Sequence, residues 1–113
     1  ILRFPRVRRL RKRRDFLKVQ GAGAKAHTRH FLVLRLAQEA QLPRGRLGIT
    51  VTKRVGSAAT RNRIKRLVRE FVRQNPGWLP NGVDVVVVAK KSAAKLGGLM
   101  DVANDLGPAG AER

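Results

Sequence analysis

The segment Arg61–Arg73 constrains the fold most, because it combines a regular apolar stripe with a dense basic cluster. At about 100° per residue, its apolar side chains share one face of a helix. They follow the i, i+3, i+4, i+7, i+8 spacing of a helix docked on a core, with Ile64, Leu67, Val68, Phe71 and Val72. The polar residues of the opposite face are Asn62, Arg66, Arg69 and Arg73. The pattern predicts a helix over about 58–74, buried on one face and cationic on the other.

The charge balance points to a polyanionic partner. The net charge is +19, from 26 Lys and Arg against 7 Asp and Glu, and such an excess costs stability through self-repulsion. A solvated face normally mixes both signs, yet six cations and one acid lie between Arg61 and Arg73. We therefore predict contact with RNA or DNA. The candidate binding residues are Lys53, Arg54, Arg61, Asn62, Arg63, Lys65, Arg66, Arg69 and Arg73.

Catalytic and metal-binding motifs are not found in the sequence. The absence of cysteine excludes a disulfide framework and a thiolate zinc site. The seven acids form no general acid/base pair on one predicted element, and there is no nucleophile motif or glycine-rich phosphate loop. His27 and His30 lie three residues apart without a third ligand, which favours a surface or phosphate-contact role. We expect no catalytic and no metal-ligating residue in the protein.

The hydropathy pattern gives no membrane or export signal. The longest apolar run, Val85–Ala89, is too short to span a bilayer. No apolar segment of signal-peptide type follows the basic N-terminal residues. We expect a cytoplasmic protein with no membrane contact and no evident obligate protein partner.

The order of the predicted elements indicates one α+β domain over residues 1–113. Within it, residues 1–9 form a basic N-terminal arm and residues 107–113 a flexible tail. Helices are predicted over about 11–20, 58–74 and 92–106, and strands over 25–28, 29–37, 46–53 and 83–89. The strand–helix–strand unit over 46–89 implies parallel pairing in a mixed sheet, with the helices mostly on one side.

Two features indicate a groove on the sheet face away from the long helix. In the 46–53 strand the apolar side chains alternate with Gly48, Thr50 and Thr52, which leave that face small. Phe16 shares one side of the first predicted helix with Gln20, and Arg13 lies nearby. A lone Phe more often packs in a core, but a half-exposed ring beside cations can stack on a base. The residues alone leave both readings open.

The segment 46–70 resembles the protein subunit of bacterial ribonuclease P, in Arg46–Gly56, then Ser57–Thr60, then Arg61–Glu70. Asp15-Phe16 and a strand entered through Asp84 also match that family, and the match covers about residues 7–106. The resemblance implies a ribosomal protein S5 domain 2-like sandwich. Such a fold has a mixed four-stranded sheet, about three helices and a left-handed β-α-β crossover, where the general rule is right-handed.

The resemblance also implies a role in removing the 5′ leader of precursor tRNA, with the hydrolytic chemistry in the catalytic RNA subunit. The helix carrying Arg61, Asn62, Arg66 and Arg69 would bind that RNA, with Lys53 and Arg54 before it. The leader would bind in a cleft between the first helix and the sheet. We assign to this cleft Arg13, Phe16, Gln20, Leu32, Leu34, Thr50 and Thr52. Magnesium is expected mainly on RNA ligands.

Two positions of the predicted cleft depart from the family pattern. Gln20 stands where many relatives carry a second aromatic residue, and Leu34 where some do. The cleft should therefore stack less strongly on leader bases.

Two other functions would fit the charge equally well, namely a ribosomal or RNA-chaperone protein and a basic DNA-binding module. The spacing between the 46–53 strand and the helix that carries Arg61-Asn62-Arg63 favours the ribonuclease P subunit.

Overall fold

A mixed sheet of four strands organises the part of the chain that the computed structural model describes, residues 8–38 and 44–109. The strands are β1 (Ala24–His27), β2 (Phe31–Ala37), β3 (Arg46–Thr50) and β4 (Val83–Ala89), in the spatial order β1-β2-β4-β3. Three helices pack on the sheet: α1 (Arg13–Ala22), α2 (Ala58–Gln74) and α3 (Leu99–Leu106). The predicted α+β class and mixed sheet are confirmed.

Strand β4 lies inside the sheet and is buried on both faces. It pairs antiparallel with β2 and parallel with β3, as the strand–helix–strand unit predicted. Val85, Val86 and Val87 are fully buried, which accounts for the almost uniform Val sequence of the strand. The left-handed crossover from β3 through α2 to β4 stays a prediction.

Helices α2 and α3 cover one face of the sheet. Helix α2 begins and ends at the predicted residues, and the Ser57 hydroxyl oxygen accepts a hydrogen bond from the Thr60 amide at 3.2 Å, which caps its first turn. Its apolar stripe is buried against Phe31, Val33, Leu47, Val85 and Val87 of the sheet. Trp78 is also buried there, and its ring nitrogen donates to the Leu106 carbonyl oxygen at 2.7 Å. These contacts form the larger of two apolar clusters.

Helix α1 covers the opposite face, so that the sheet lies between two helical layers. A smaller apolar cluster forms beneath α1 from Leu10, Val19, Leu34 and Val86. Phe16 packs against the edge of this cluster and is partly exposed. Two helices therefore lie on one side of the sheet and one on the other, in keeping with the predicted asymmetry.

The C-terminal helix is shorter than predicted. The sequence indicated one helix over about 92–106, but Lys91–Lys95 forms a separate 3-10 turn and α3 starts only at Leu99. The intervening Gly97 and Gly98 interrupt the helix, and the Gly97 amide donates to the Asp101 carboxylate at 2.7 Å. Gly107–Ala109, within the predicted tail, forms a further 3-10 turn, and Ala109 packs against the larger cluster. Residues 110–113 lie outside the described range.

The last residues of the N-terminal arm attach to the free edge of β3. Arg9 forms a parallel bridge with Leu47, and the Leu10 amide donates to the Leu47 carbonyl oxygen at 2.8 Å. The Arg8 guanidinium donates to the carbonyl oxygens of Gly45 and Leu79. An unpaired strand edge exposes backbone donors and acceptors that a neighbouring segment can satisfy. The rest of the predicted arm, residues 1–7, lies outside the described residues.

A bidentate ion pair joins β3 to β4 at the edge of the α1 layer. Arg46 donates to both carboxylate oxygens of Asp84, at 3.0 and 2.8 Å, and Asp84 is only 7% exposed. The side-chain amide of buried Gln38 donates to the same carboxylate at 2.7 Å. These hydrogen bonds to Asp84 raise the pKa of Arg46. On its other side Arg46 approaches the Asp15 carboxylate of α1 at 3.7 Å.

We predict that Arg46→Met lowers the free energy of unfolding by about 2 kcal/mol, because it leaves the Asp84 charge buried. Removing one partner of a fully buried pair costs about 3–5 kcal/mol, and the effect should be smaller here because the Arg46 side chain is 26% exposed. Urea unfolding measures the change. Arg73→Met is the matched control, since its partner Glu70 is 35% exposed where the Asp84 side chain is 10% exposed, and the loss of that pair should change stability little. Equal losses in the two variants would contradict a structural role for Arg46.

Candidate nucleic-acid interface

The outer surface of α2 presents the predicted row of cations. Asn62 and Arg66 are exposed on the helix, while Arg61, Lys65 and Arg69 are partly buried along its flanks. The apolar stripe on the opposite face holds this row in a fixed orientation relative to the sheet. Lys53 and Arg54 are exposed in the turn between β3 and α2. The predicted candidates therefore line one helix and the turn that precedes it.

Two of the predicted cations already have partners within the protein. Arg73 forms a bidentate pair with Glu70 one turn earlier, and this hydrogen bonding lowers the pKa of the Glu70 carboxyl. The Arg63 guanidinium donates to the Leu96 carbonyl oxygen at 2.6 Å and fastens α2 to the segment before α3. Arg63 and Arg73 are therefore less available to an external phosphate than Arg66.

The N-terminal segment brings a further cation to α2. Arg9 is held beside β3 by its backbone bridge and lies close enough to Arg69 to affect the pKa of that side chain. Burial lowers the pKa of Arg69, and repulsion from Arg9 adds to this shift. The surface therefore concentrates positive charge where the two basic regions of the sequence meet. The sequence did not predict this proximity, because sixty residues separate the two arginines.

The sheet face beneath α1 consists of three rows of residues, set by the strand register. Each row runs across β3, β4 and β2. The first row contains Arg46, Asp84 and Leu36, the middle row Gly48, Val86 and Leu34, and the third row Thr50, Val88 and Leu32. The middle row is buried, whereas all three residues of the third row are partly exposed.

Helix α1 lies over the middle row and leaves the third row open along its flank. Its most buried residue, Val19, points to the sheet, and Asp15 approaches Arg46 of the first row. At about 100° per residue, Phe16 and Gln20 lie on the side of α1 away from Asp15. That side faces the third row, and Phe16 and Gln20 are both partly exposed. We call the groove between this flank and the third row the cleft.

The predicted cleft residues do not all occupy equivalent places. Arg13 is exposed on the same flank of α1, and Leu32 and Thr50 lie in the third row. Leu34, however, is only 2% exposed and packs beneath α1. Thr52 is exposed but lies beyond the end of β3.

Val88 completes the third row, although the sequence did not single it out. It is one of five consecutive apolar residues at the end of β4, and nothing in that run distinguishes a buried Val from a half-exposed one. The alternation rule places Val88 on the face of Val86, but only the register shows that it lies beside Thr50 and Leu32.

The two histidines lie at the β1–β2 connection, where the register places His27 beside Leu32, at the β1 end of the third row. His27 is exposed at the end of β1, and the His30 ring nitrogen lies 2.8 Å from the Ser92 hydroxyl. Asp105 of α3 binds the same connection, accepting hydrogen bonds from the Thr28 hydroxyl and from the His30 amide at 2.7 and 3.0 Å. Within residues 8–38 and 44–109, no three His, Cys, Asp or Glu residues are grouped as a metal site. None of the helices described there is long and apolar enough to cross a membrane.

Fold and surface together define a small, strongly basic α+β protein with a cationic helix on one face of its sheet and a cleft on the other. Comparison with known proteins identifies the family. The family model described as Ribonuclease P matches residues 4–100. The chain is 43% identical over 104 residues to the ribonuclease P protein component of Desulforapulum autotrophicum, covering 92% of this chain and 86% of that protein.

Solved structures agree with this match. The RNase P protein from Thermotoga maritima superposes with a TM-score of 0.80 at 34% identity, covering 93% of this chain and 96% of that one. The RNase P protein of Staphylococcus aureus gives a TM-score of 0.80 at 29% identity over 89% and 90% of the two chains. The chain belongs to the family of ribonuclease P protein components.

We predict that binding of a ribonuclease P RNA is steeply salt-dependent and that Arg66→Ala reduces this dependence. Each neutralised phosphate contributes roughly 0.7–0.9 to the slope of log K against log salt concentration, and Arg66 is exposed. Titrations at several salt concentrations measure the slope. Arg73→Ala removes the same formal charge but from a guanidinium paired with Glu70, so its effect should be smaller. A slope near zero for the unaltered protein would contradict the electrostatic interpretation.

Proposed function

We propose that this protein is the RNA-binding subunit of a ribonuclease P ribonucleoprotein that removes the 5′ leader of precursor tRNA. The catalytic RNA carries out the hydrolysis, and the protein supplies no catalytic residue. Its partners are that RNA and precursor tRNA, and its place of action is the cytoplasm. Family membership and the cationic surface of α2 support this assignment.

The α2 surface is proposed to bind the catalytic RNA. The observation that carries this step is the fixed outward orientation of Asn62 and Arg66 by the buried stripe on the opposite face of the helix. Arg69 and Arg9 extend the basic surface to the edge of β3, and Lys53 and Arg54 extend it before the helix. Arginine suits this task because its planar fork donates two hydrogen bonds to a phosphate.

The cleft is proposed to bind the 5′ leader. Its width is set by α1 on one flank and by the partly exposed third row on the other. Phe16 offers a ring for base stacking, and Arg13 and Gln20 offer polar contacts beside it. Leu34 would act from beneath, by supporting α1, since it is buried in the smaller apolar cluster.

Magnesium is proposed to act through RNA ligands. Hard divalent cations prefer carboxylate, carbonyl, water and phosphate oxygens. In the described part of the chain each acidic side chain makes a contact within the protein, as with Asp84 and Arg46 or Asp105 and Thr28. The phosphates of the catalytic RNA then remain as the principal ligands.

Reconstitution tests the proposal directly. With a bacterial ribonuclease P RNA, the protein should lower the magnesium concentration needed to cleave precursor tRNA, because its cations replace part of the required counterion charge. The readout is the cleavage rate across a magnesium series, with and without protein. A protein that binds the RNA but leaves the magnesium requirement unchanged would favour a ribosomal or RNA-chaperone role instead.

We predict that Phe16→Leu weakens binding of precursor tRNA by about 1–3 kcal/mol, the usual value of one stacked base. Leu keeps an apolar side chain against the smaller cluster but removes the aromatic ring. Dissociation constants of the reconstituted enzyme for precursor tRNA and for mature tRNA provide the measurement. Mature tRNA lacks the leader and serves as the control. Equal losses for both RNAs would show that Phe16 has a packing role only.

A further inference from the structure

Gly48 lies in the middle row, buried directly beneath the ring of Phe16. A Cβ atom placed on Gly48 would lie 2.6 Å from Phe16 Cε1, 2.7 Å from Phe16 Cζ and 3.1 Å from Leu10 Cβ. The first two distances are far below van der Waals contact between carbon atoms. The far end of the Phe16 ring therefore occupies the space that any side chain at position 48 would need.

The backbone at Gly48 is held on both sides and cannot retreat. Gly48 pairs with Val86 in the parallel ladder of β3 and β4. On the other side of β3, the Leu10 amide is hydrogen-bonded to the Leu47 carbonyl oxygen. Leu10 is itself only 5% exposed and closes that side of the ring. A larger residue at position 48 would therefore displace the Phe16 ring away from the sheet.

We infer that Gly48 is a positioning residue for leader recognition, because its missing side chain sets how deeply the Phe16 ring sits in the cleft. Gly48 does not touch the leader. It acts through Phe16, by fixing the height of the ring above the middle row and thus the surface that the ring offers to a base in the cleft. The inference rests on the proposed leader-binding role of Phe16. It assigns to the glycine of β3 a specificity function in addition to its role in packing.

Gly48→Ala in the reconstituted enzyme tests the inference. The dissociation constants for precursor tRNAs with leaders of increasing length should rise by about five- to tenfold once the leader is long enough to reach the cleft. This is the lower end of the usual stacking range, since the ring is displaced rather than removed. The dissociation constant for mature tRNA should not change. Gly21→Ala is the matched control on α1, because a Cβ there meets no atom within 4 Å, and it should leave leader binding unchanged.

A double variant distinguishes action through Phe16 from a general effect on the fold. Leu at position 16 lacks the Cε1 and Cζ atoms that clash, so Phe16→Leu/Gly48→Ala should bind leaders as weakly as Phe16→Leu alone and no more weakly. The melting temperature of the double variant should equal that of Phe16→Leu, because the clash that alters Gly48→Ala alone is then absent. Additive losses of leader affinity overturn the inference, and so does equal weakening toward mature tRNA. A double variant that fails to fold overturns it as well, because Gly48 would then be needed for another contact.

The same experiment separates this inference from the proposed function. If Phe16→Leu does not change leader affinity, the leader-binding role of the cleft is wrong, and the inference fails with it. If Phe16→Leu weakens leader binding but Gly48→Ala does not, only the inference is wrong.

Discussion

The burial of β4 on both faces is the constraint on which the rest of the structure depends. The central residues of this strand, Val85–Val87, are fully buried and need a cover above and below the sheet. Helix α2 and α3 provide one cover, and α1 with Leu10 provides the other. The cationic face of α2 and the cleft beside α1 therefore belong to opposite layers of one sheet. The same hydrophobic requirement produces both candidate RNA-binding surfaces.

The acidic side chains bind groups within the protein, and this leaves the surface cationic. Within residues 8–38 and 44–109, all five carboxylates bind groups of the protein itself. Asp15 and Asp84 bind Arg46, Glu70 binds Arg73, Asp101 accepts from the Gly97 amide before α3, and Asp105 accepts hydrogen bonds from the β1–β2 connection. With these charges engaged, little negative charge is left there to repel a phosphate backbone. The net charge of +19 thus costs folding stability through self-repulsion but favours a polyanionic partner.

Local patterns in the sequence predicted the elements that depend on short-range periodicity. The bounds of α2 and β4 follow from a 3.6-residue stripe and an apolar run, and both match the structure. The predicted helix over 92–106 was wrong in its first half, because the Gly97-Gly98 break outweighs the apolar spacing. The bridge from Arg9 to Leu47 and the Arg9–Arg69 approach join distant parts of the chain, and no periodicity encodes them. The cleft was partly predictable for the same reason: alternation identified Thr50, but only register added Val88.

The connection between β3 and α2 brings the two surfaces to a common edge of the molecule. Thr50 ends β3 in the third row of the cleft, and Ser57 caps the first turn of α2 seven residues later. Val51 and Val55 of this connection are buried, while Lys53 and Arg54 are exposed between them. The connection is thus anchored to the larger apolar cluster while presenting its cations outward. This anchored segment therefore links the floor of the cleft to the cationic face of α2, so that an RNA bound by α2 and a strand bound in the cleft would lie on either side of it.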